Sequence, residues 1–197
     1  LSGVTMTING VACGLKSVSR HQIIFVVPPF LSSVAAGTPY PVVINNQGTV
    51  FRGSLTIVPA RPDIFTDLLV PGPGGRAQAF NVTNRVHTTE PFTVRTIRVR
   101  GGTRVPSVIR LRLTGVANTS AGVITVRIGG APPVPIVPIS AFTGGVLVEP
   151  GVYTIDFQLP DSLNRAGDQP IVVEVRLPDG TIFSSRLQDT APRIFIL

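Results

Sequence analysis

The sequence predicts an all-β protein built from two tandem Ig-like β-sandwich domains, the first lacking its N-terminal strand. Three observations carry that expectation. Glycine and proline, 20 and 19 of 197 residues, cut the chain into short runs of Val, Ile, Thr and Phe, the composition of many short strands joined by turns. No segment keeps the apolar period of a long amphipathic helix. One phrase also occurs twice, as "HQIIFVVPPFL" at 21–31 and "YTIDFQLPDSL" at 153–163.

Setting Phe25 on Phe157 brings further blocks into the same order. "VTMTINGVA" (4–12) faces "VITVRIGGA" (123–131), and "GTPYPVVI" (37–44) faces "GDQPIVVEV" (167–175). "QGTVF" (47–51) faces "DGTIF" (179–183), and "RPDIF" (61–65) faces "APRIF" (191–195). Five blocks in one order indicate two copies of one β unit. The offset grows from about 120 to 132 along the alignment, so the second copy carries about twelve extra residues in or near 132–151.

Each element has a local reason. "VTMTI" alternates and runs into Asn9-Gly10, a dipeptide suited to positive φ. "QIIFVVP" is a buried strand closed by Pro28 and Pro29, which cannot donate to a ladder. "YPVVIN" and "TVFRGSLTIV" flank the turn "NNQG", as "IVVEVRL" and "TIFSSRL" flank "PDG". Short strands at this spacing describe small sandwiches. Residues 1–65 form the first unit. Residues 66–92, with "VPGPGGRAQ" and "NVTNRVHTTEP", read as a Pro/Gly-rich and polar linker. Residues 93–197 form the second unit, opened by strands near 93–100 and 107–114.

The two copies differ at their starts. "SVIRLRLTG" precedes the first matched strand of copy two, whereas almost nothing precedes "VTMTING". A sandwich without its first strand exposes an edge and part of its core. An incomplete N-terminus accounts for this, as does a strand supplied from elsewhere. The chain closes on "RIFIL", an apolar strand, so head-to-tail complementation would satisfy both ends. A first residue of Leu rather than Met reads as a mature product, a processed piece or a fragment, with any export signal upstream.

Charge and composition exclude several classes. No apolar run approaches the roughly 18–20 residues of a spanning helix, and 43% hydrophobic residues exclude a disordered chain. The net charge of +7 is uneven, with residues 1–62 holding no acid and "RTIRVRGGTRVPSVIRLR" (95–112) holding six Arg. That run raises nucleic acid as a partner. With no Trp and two Tyr there is no stacking platform, and a solvated face alternating with core residues explains the pattern better.

Catalytic and metal chemistry find little support. Cys13 stands alone and reads as a small buried hydrophobe. His21, aligned with Tyr153, reads as a packing residue, and His87 as a solvated loop residue. Asp161, Asn164 and Asp168 offer loose calcium ligands, although turns favour the same residues. Asn81 and Asn118 head N-x-S/T triplets in expected loops. No catalytic, cofactor or metal residue is assigned.

The blocks "GVTMTINGVA", "HQIIFVVPP", "GTPYPVVI" and "RPDIF", with "VITVRIGGAP" and "YTIDFQLPDSL", resemble the Solibacter-type uncharacterised C-terminal domain family. That resemblance covers essentially the whole chain. It departs at Ile24, where Asn is usual, at Asp63, where Gly is usual, and in the absent first strand. It implies tandem β modules at the ends of exported bacterial proteins, located in the extracellular space or at the cell surface. The expected function is a non-catalytic structural or adhesive module of a larger assembly, with protein partners or copies of itself. A carbohydrate-binding accessory module is the alternative, weakened because only Tyr40 and Tyr153 could stack on a sugar.

Overall fold

The computed structural model describes residues 3–34, 36–97, 102–117, 119, 123–137, 146–186 and 189–197. The fold is all-β, and the chain divides into two compact units, Leu1–Pro59 and Ala60–Leu197.

In the first unit, β1 (Val4–Ile8) alternates and buries Met6 and Ile8. Asn9 and Gly10 take φ of 50° and 77°, the two positive values of a tight hairpin turn into β2 (Val11–Ala12). β3 (Gly14–Val18) and β4 (Ile23–Val26) form a second hairpin, with a register slip between Leu15 and Ser17. β5 (Thr38–Asn46) and β6 (Thr49–Ile57) pair along their full length, turned by Gln47 and Gly48 at φ of 50° and 95°. The strands order as β2-β1-β5-β6, with β3-β4 as a separate pair. Met6, Ile8 and Pro28 are the buried apolar side chains of this unit among its described residues, while Val50, Phe51 and Phe30 are exposed.

The second unit contains β7 (Asp63–Ile64), β8 (Ala79–Asn81), β9 (Arg95–Ile97), β10 (Arg104–Pro106), β11 (Val108–Thr114) and β12 (Ile124–Ile128). It continues with β13 (Val134–Val137), β14 (Val146–Glu149), β15 (Val152–Gln158), β16 (Gly167–Arg176), β17 (Ile182–Ser184) and β18 (Arg193–Ile196). The main sheet runs β17-β16-β12-β13-β15-β11-β7, with β14 also on β15, β18 on β16 and β8 on β11. Since β13 pairs with both β12 and β15, it joins a β16-β12 half to a β15-β11 half. Ile109, Leu111, Leu113 and Phe157 from one half share a single core with Ile124, Val126, Ile171 and Val173 from the other, giving a sandwich-like arrangement. Each such side chain stabilises by roughly 1.5–3 kcal/mol when fully buried, so this unit is the better consolidated of the two.

Residues 66–92 do not form the expected linker. They belong to the second unit, where β8 lies on β11 and Ala79, Asn81, Thr83 and Phe92 are buried. Their Pro/Gly-rich composition lacks strand alternation, yet backbone bonds hold them. Ala77 N–H donates to Arg193 O at 3.0 Å, and Phe92 N–H to Phe195 O at 2.8 Å. "RPDIF" likewise leaves the first unit, since Asp63 and Ile64 pair with Thr114 and Leu113 of β11. The boundary therefore falls after Pro59 rather than after residue 65. Gly115, at φ of 76°, holds the first residues of the second unit: Arg61 N–H donates to its carbonyl at 3.0 Å, and a Cβ there would lie 1.7 Å from Arg61 O. The expected insertion near 132–151 spans β13, β14 and residues 138–145, which lie outside the described residues.

Candidate functional site

The feature that sets the first unit apart is β4. It pairs with β3 along one edge, and its other edge pairs with no strand among the described residues. Its counterpart by sequence, β15, is flanked on both edges. β11 covers one edge from Val108 to Leu113, while β13 and β14 share the other.

The surroundings of the two strands can be followed residue by residue. Leu15 stands opposite Phe25 as Ile136 stands opposite Phe157. Asn9 N–H donates to Pro41 O at 2.8 Å as Gly129 N–H donates to Pro170 O at 2.9 Å. The difference lies in what β11 supplies. Ile109 faces Phe157 and Leu111 faces Ile155, and all four are fully buried. Phe25, expected to anchor a core as Phe157 does, is only half-buried. Next to it, Ile24 is 44% exposed, where Asp156 in β15 is buried and paired with Arg110. An edge with free backbone groups and apolar side chains on either face is a template for an added strand.

The residues singled out for chemistry are dispersed or engaged. His21 is exposed in the β3–β4 turn, where its backbone N–H donates to Ser19 Oγ, so the expected packing role does not hold. In β15 the corresponding Tyr153 packs against the core flanked by β11. His87 is exposed and stacks on Phe80 with ring centroids 4.6 Å apart. Cys13 is half-buried, and burial pushes its thiol pKa up. Tyr40 bonds Ser32 through its hydroxyl.

Neither carboxylate of the calcium reading is free. Asp161 accepts two bonds from Arg95, whose guanidinium holds it below the usual carboxylate range. Asp168 is bonded by Arg76 and Arg193. Burial alone would raise its pKa, but those two guanidinium groups outweigh it and hold it low. Among the described residues no three His, Cys, Asp or Glu side chains gather to hold a metal ion. The arginine run divides similarly. Arg110 and Arg112 lie on the outer face of β11, paired with Asp156 and Glu149, while Arg98 and Arg100 lie outside the described residues.

Asn81 is not the exposed loop residue its sequon suggests. It is buried in β8, where its Oδ1 accepts from Thr83 N–H and Thr83 Oγ1 at 3.0 and 2.6 Å. Its amide donates to Thr96 Oγ1, and Thr83 Oγ1 accepts from Val108 N–H. The triplet thus ties β8 to β9 and β11. Asn118 lies outside the described residues.

Sequence reasoning missed a four-residue ion network. Arg76 makes a bidentate contact to Glu90 at 2.6 and 2.5 Å and a third bond to Asp168, which also pairs with Arg193. Glu90 additionally accepts from Phe195 N–H at 2.8 Å. The hydrogen bond to Glu90, foremost among several causes, raises the Arg76 pKa above its ordinary value. These residues are scattered over 118 positions, and no local motif announces them.

No helix among the described residues is long and apolar enough to cross a membrane. No family model, no curated protein and no solved structure matches this chain.

Proposed function

We propose that this protein is a non-catalytic structural module of an extracellular or cell-surface assembly, with two Ig-like units arisen by internal repetition. The first unit accepts a strand from a protein partner along the free edge of β4. That edge is the observation that carries the reading. Its counterpart β15 is covered by β11, and the resulting core is closed. The reading is supported further by how little the first unit buries, with only Met6, Ile8 and Pro28 buried among its described apolar side chains. A unit of that size needs a larger apolar core, or an added element, to be stable.

The incoming strand is antiparallel to β4, with apolar side chains opposite Phe25 and Ile23, as Ile109 and Leu111 stand opposite Phe157 and Ile155. Main-chain bonds supply affinity, and the alternate side chains supply selectivity. The C-terminal "RIFIL" segment is not the donor in this arrangement. It forms β18 on β16 of its own unit, with Ile194 and Ile196 fully buried.

A peptide copying residues 107–115 serves as a probe of the edge. Added to the full chain, it is expected to slow amide hydrogen exchange at residues 23–26. Ile24→Lys, which places a charge on the edge, is expected to abolish that protection. Unchanged exchange at 23–26 with saturating peptide, or protection that persists in Ile24→Lys, overturns the reading.

A further inference from the structure

The second unit carries an open cleft of about 780 Å³ between the β9–β10 ribbon and the turn that follows β15. Three arginines line it, against one side-chain carboxylate. Arg95 is committed to that carboxylate, reaching Asp161 with both Nε and Nη2. Arg104 from β10 and Arg165 from the turn have no carboxylate partner among the described residues and are exposed to the cleft. The cleft therefore offers two guanidinium groups with no side-chain carboxylate partner among the described residues.

The backbone draws attention to Arg165 independently. Four described non-glycine residues adopt positive φ. Asn9 and Gln47 precede Gly in two-residue hairpin turns, where such values are demanded. Arg85, at 66°, closes the 3₁₀ segment Thr83–Arg85, and Arg165, at 60°, ends the turn after the 3₁₀ segment Asp161–Leu163. Glycine or asparagine would take that conformation more readily than a long side chain. Backbone held in such regions gathers at binding sites.

The rest of the lining selects among anions. Val94, Ile97 and Leu197 give aliphatic surface, and the Asn164 amide with the Thr88 hydroxyl gives groups suited to hydroxyl-rich ligands. No aromatic ring lines the cleft, so nucleobases lack a stacking surface and neutral sugars lack a platform. Planar guanidinium groups match carboxylates in two-bond geometry. We propose that this cleft binds an acidic oligosaccharide, with uronate carboxylates held by Arg104 and Arg165. The site lies wholly within the second unit and is independent of strand uptake by the first.

Calorimetric titration of the full chain with tetragalacturonate, at low and physiological salt, tests the assignment. Binding that weakens with salt is expected, with no binding of a neutral tetrasaccharide of equal length. Arg104→Gln and Arg165→Gly are each expected to weaken binding about tenfold, the loss of one charge-assisted contact. Arg165→Gly relieves the backbone while removing the guanidinium, so its melting temperature should equal or exceed that of the parent chain. Absence of binding, equal binding of the neutral sugar, or affinity untouched in both variants overturns the proposal. So does equal or tighter binding of tetraglutamate or of a tetranucleotide, which would assign the cleft to another polyanion.

Discussion

Phe157 lies directly opposite Ile109 across the β11–β15 pair, and neither side chain reaches solvent. Its counterpart Phe25 faces Leu15 on one side and no strand on the other among the described residues. The same residue type in matching phrases therefore carries different weight. Phe157→Ala is expected to cost about 3–5 kcal/mol, the range for a large aromatic removed from a closed core. Phe25→Ala should cost about 1 kcal/mol or less, because a half-buried ring leaves no sealed cavity. Urea unfolding followed by amide exchange resolves the two units and checks both values. A Phe25→Ala cost equal to that of Phe157→Ala would mean that the first unit is as closed as the second.

The legible part of this fold is the part written in alternation and turn chemistry. "VTMTI" followed by Asn9-Gly10, and "NNQG" between two β-rich runs, specify hairpins that form where expected. "SVIRLRLTG" announces β11 through its strict alternation, with Ile109, Leu111 and Leu113 inward and Arg110 and Arg112 outward. What the sequence hides depends on contacts between distant residues. Residues 66–92 look like a linker because their turns and isolated bridges have no period, although Phe92 and Asn81 are buried. His21 falls in the turn before β4 and is exposed, whereas the aligned Tyr153 lies within β15 opposite Leu113 of β11. The cleft at Arg104 and Arg165 joins residues far apart in the chain, one of them marked only by its backbone angle.

The ion network around Asp168 gives the second unit a defined response to acid. Its carboxyl is held below the ordinary value by Arg76 and Arg193 against the opposing effect of burial. A carboxyl lowered in the folded state adds stability above its unfolded pKa of about 3.9 and loses that stability as pH falls through the folded value. Unfolding free energy should thus be level near neutral pH and drop as the medium becomes more acid than about pH 4. Asp168→Asn should be less stable at pH 7 by about 1 kcal/mol, a modest figure because the pair is partly solvated. The variant should also show a shallower decline in acid, the remaining slope coming from groups such as Asp161 and Asp179, whose pKa values are also lowered. Denaturant titrations from pH 7 to pH 2 measure both. Parallel acid profiles for parent and variant would exclude Asp168 as a contributor.

Arg110 and Asp156 stand opposite each other on β11 and β15, joined by two bonds of 2.8 Å, with the carboxylate buried and the guanidinium partly exposed. Removing only the arginine strands a buried charge, so Arg110→Ala is expected to destabilise by about 2–3 kcal/mol. Replacing both members should recover most of that loss, because a buried pair repays little beyond its own desolvation. Ile24, at the corresponding place in β4, indicates the replacement: a β-branched apolar residue suits that strand position. Arg110→Ala with Asp156→Ile should therefore lie within about 1 kcal/mol of the parent chain, and the double-mutant cycle should give a coupling of about 1–2 kcal/mol. The recovered stability would come with an apolar outer face on β15, the condition that β4 already presents at Ile24. A double variant no more stable than Arg110→Ala would show instead that the pair fixes the β11–β15 register in a way that apolar contact cannot replace.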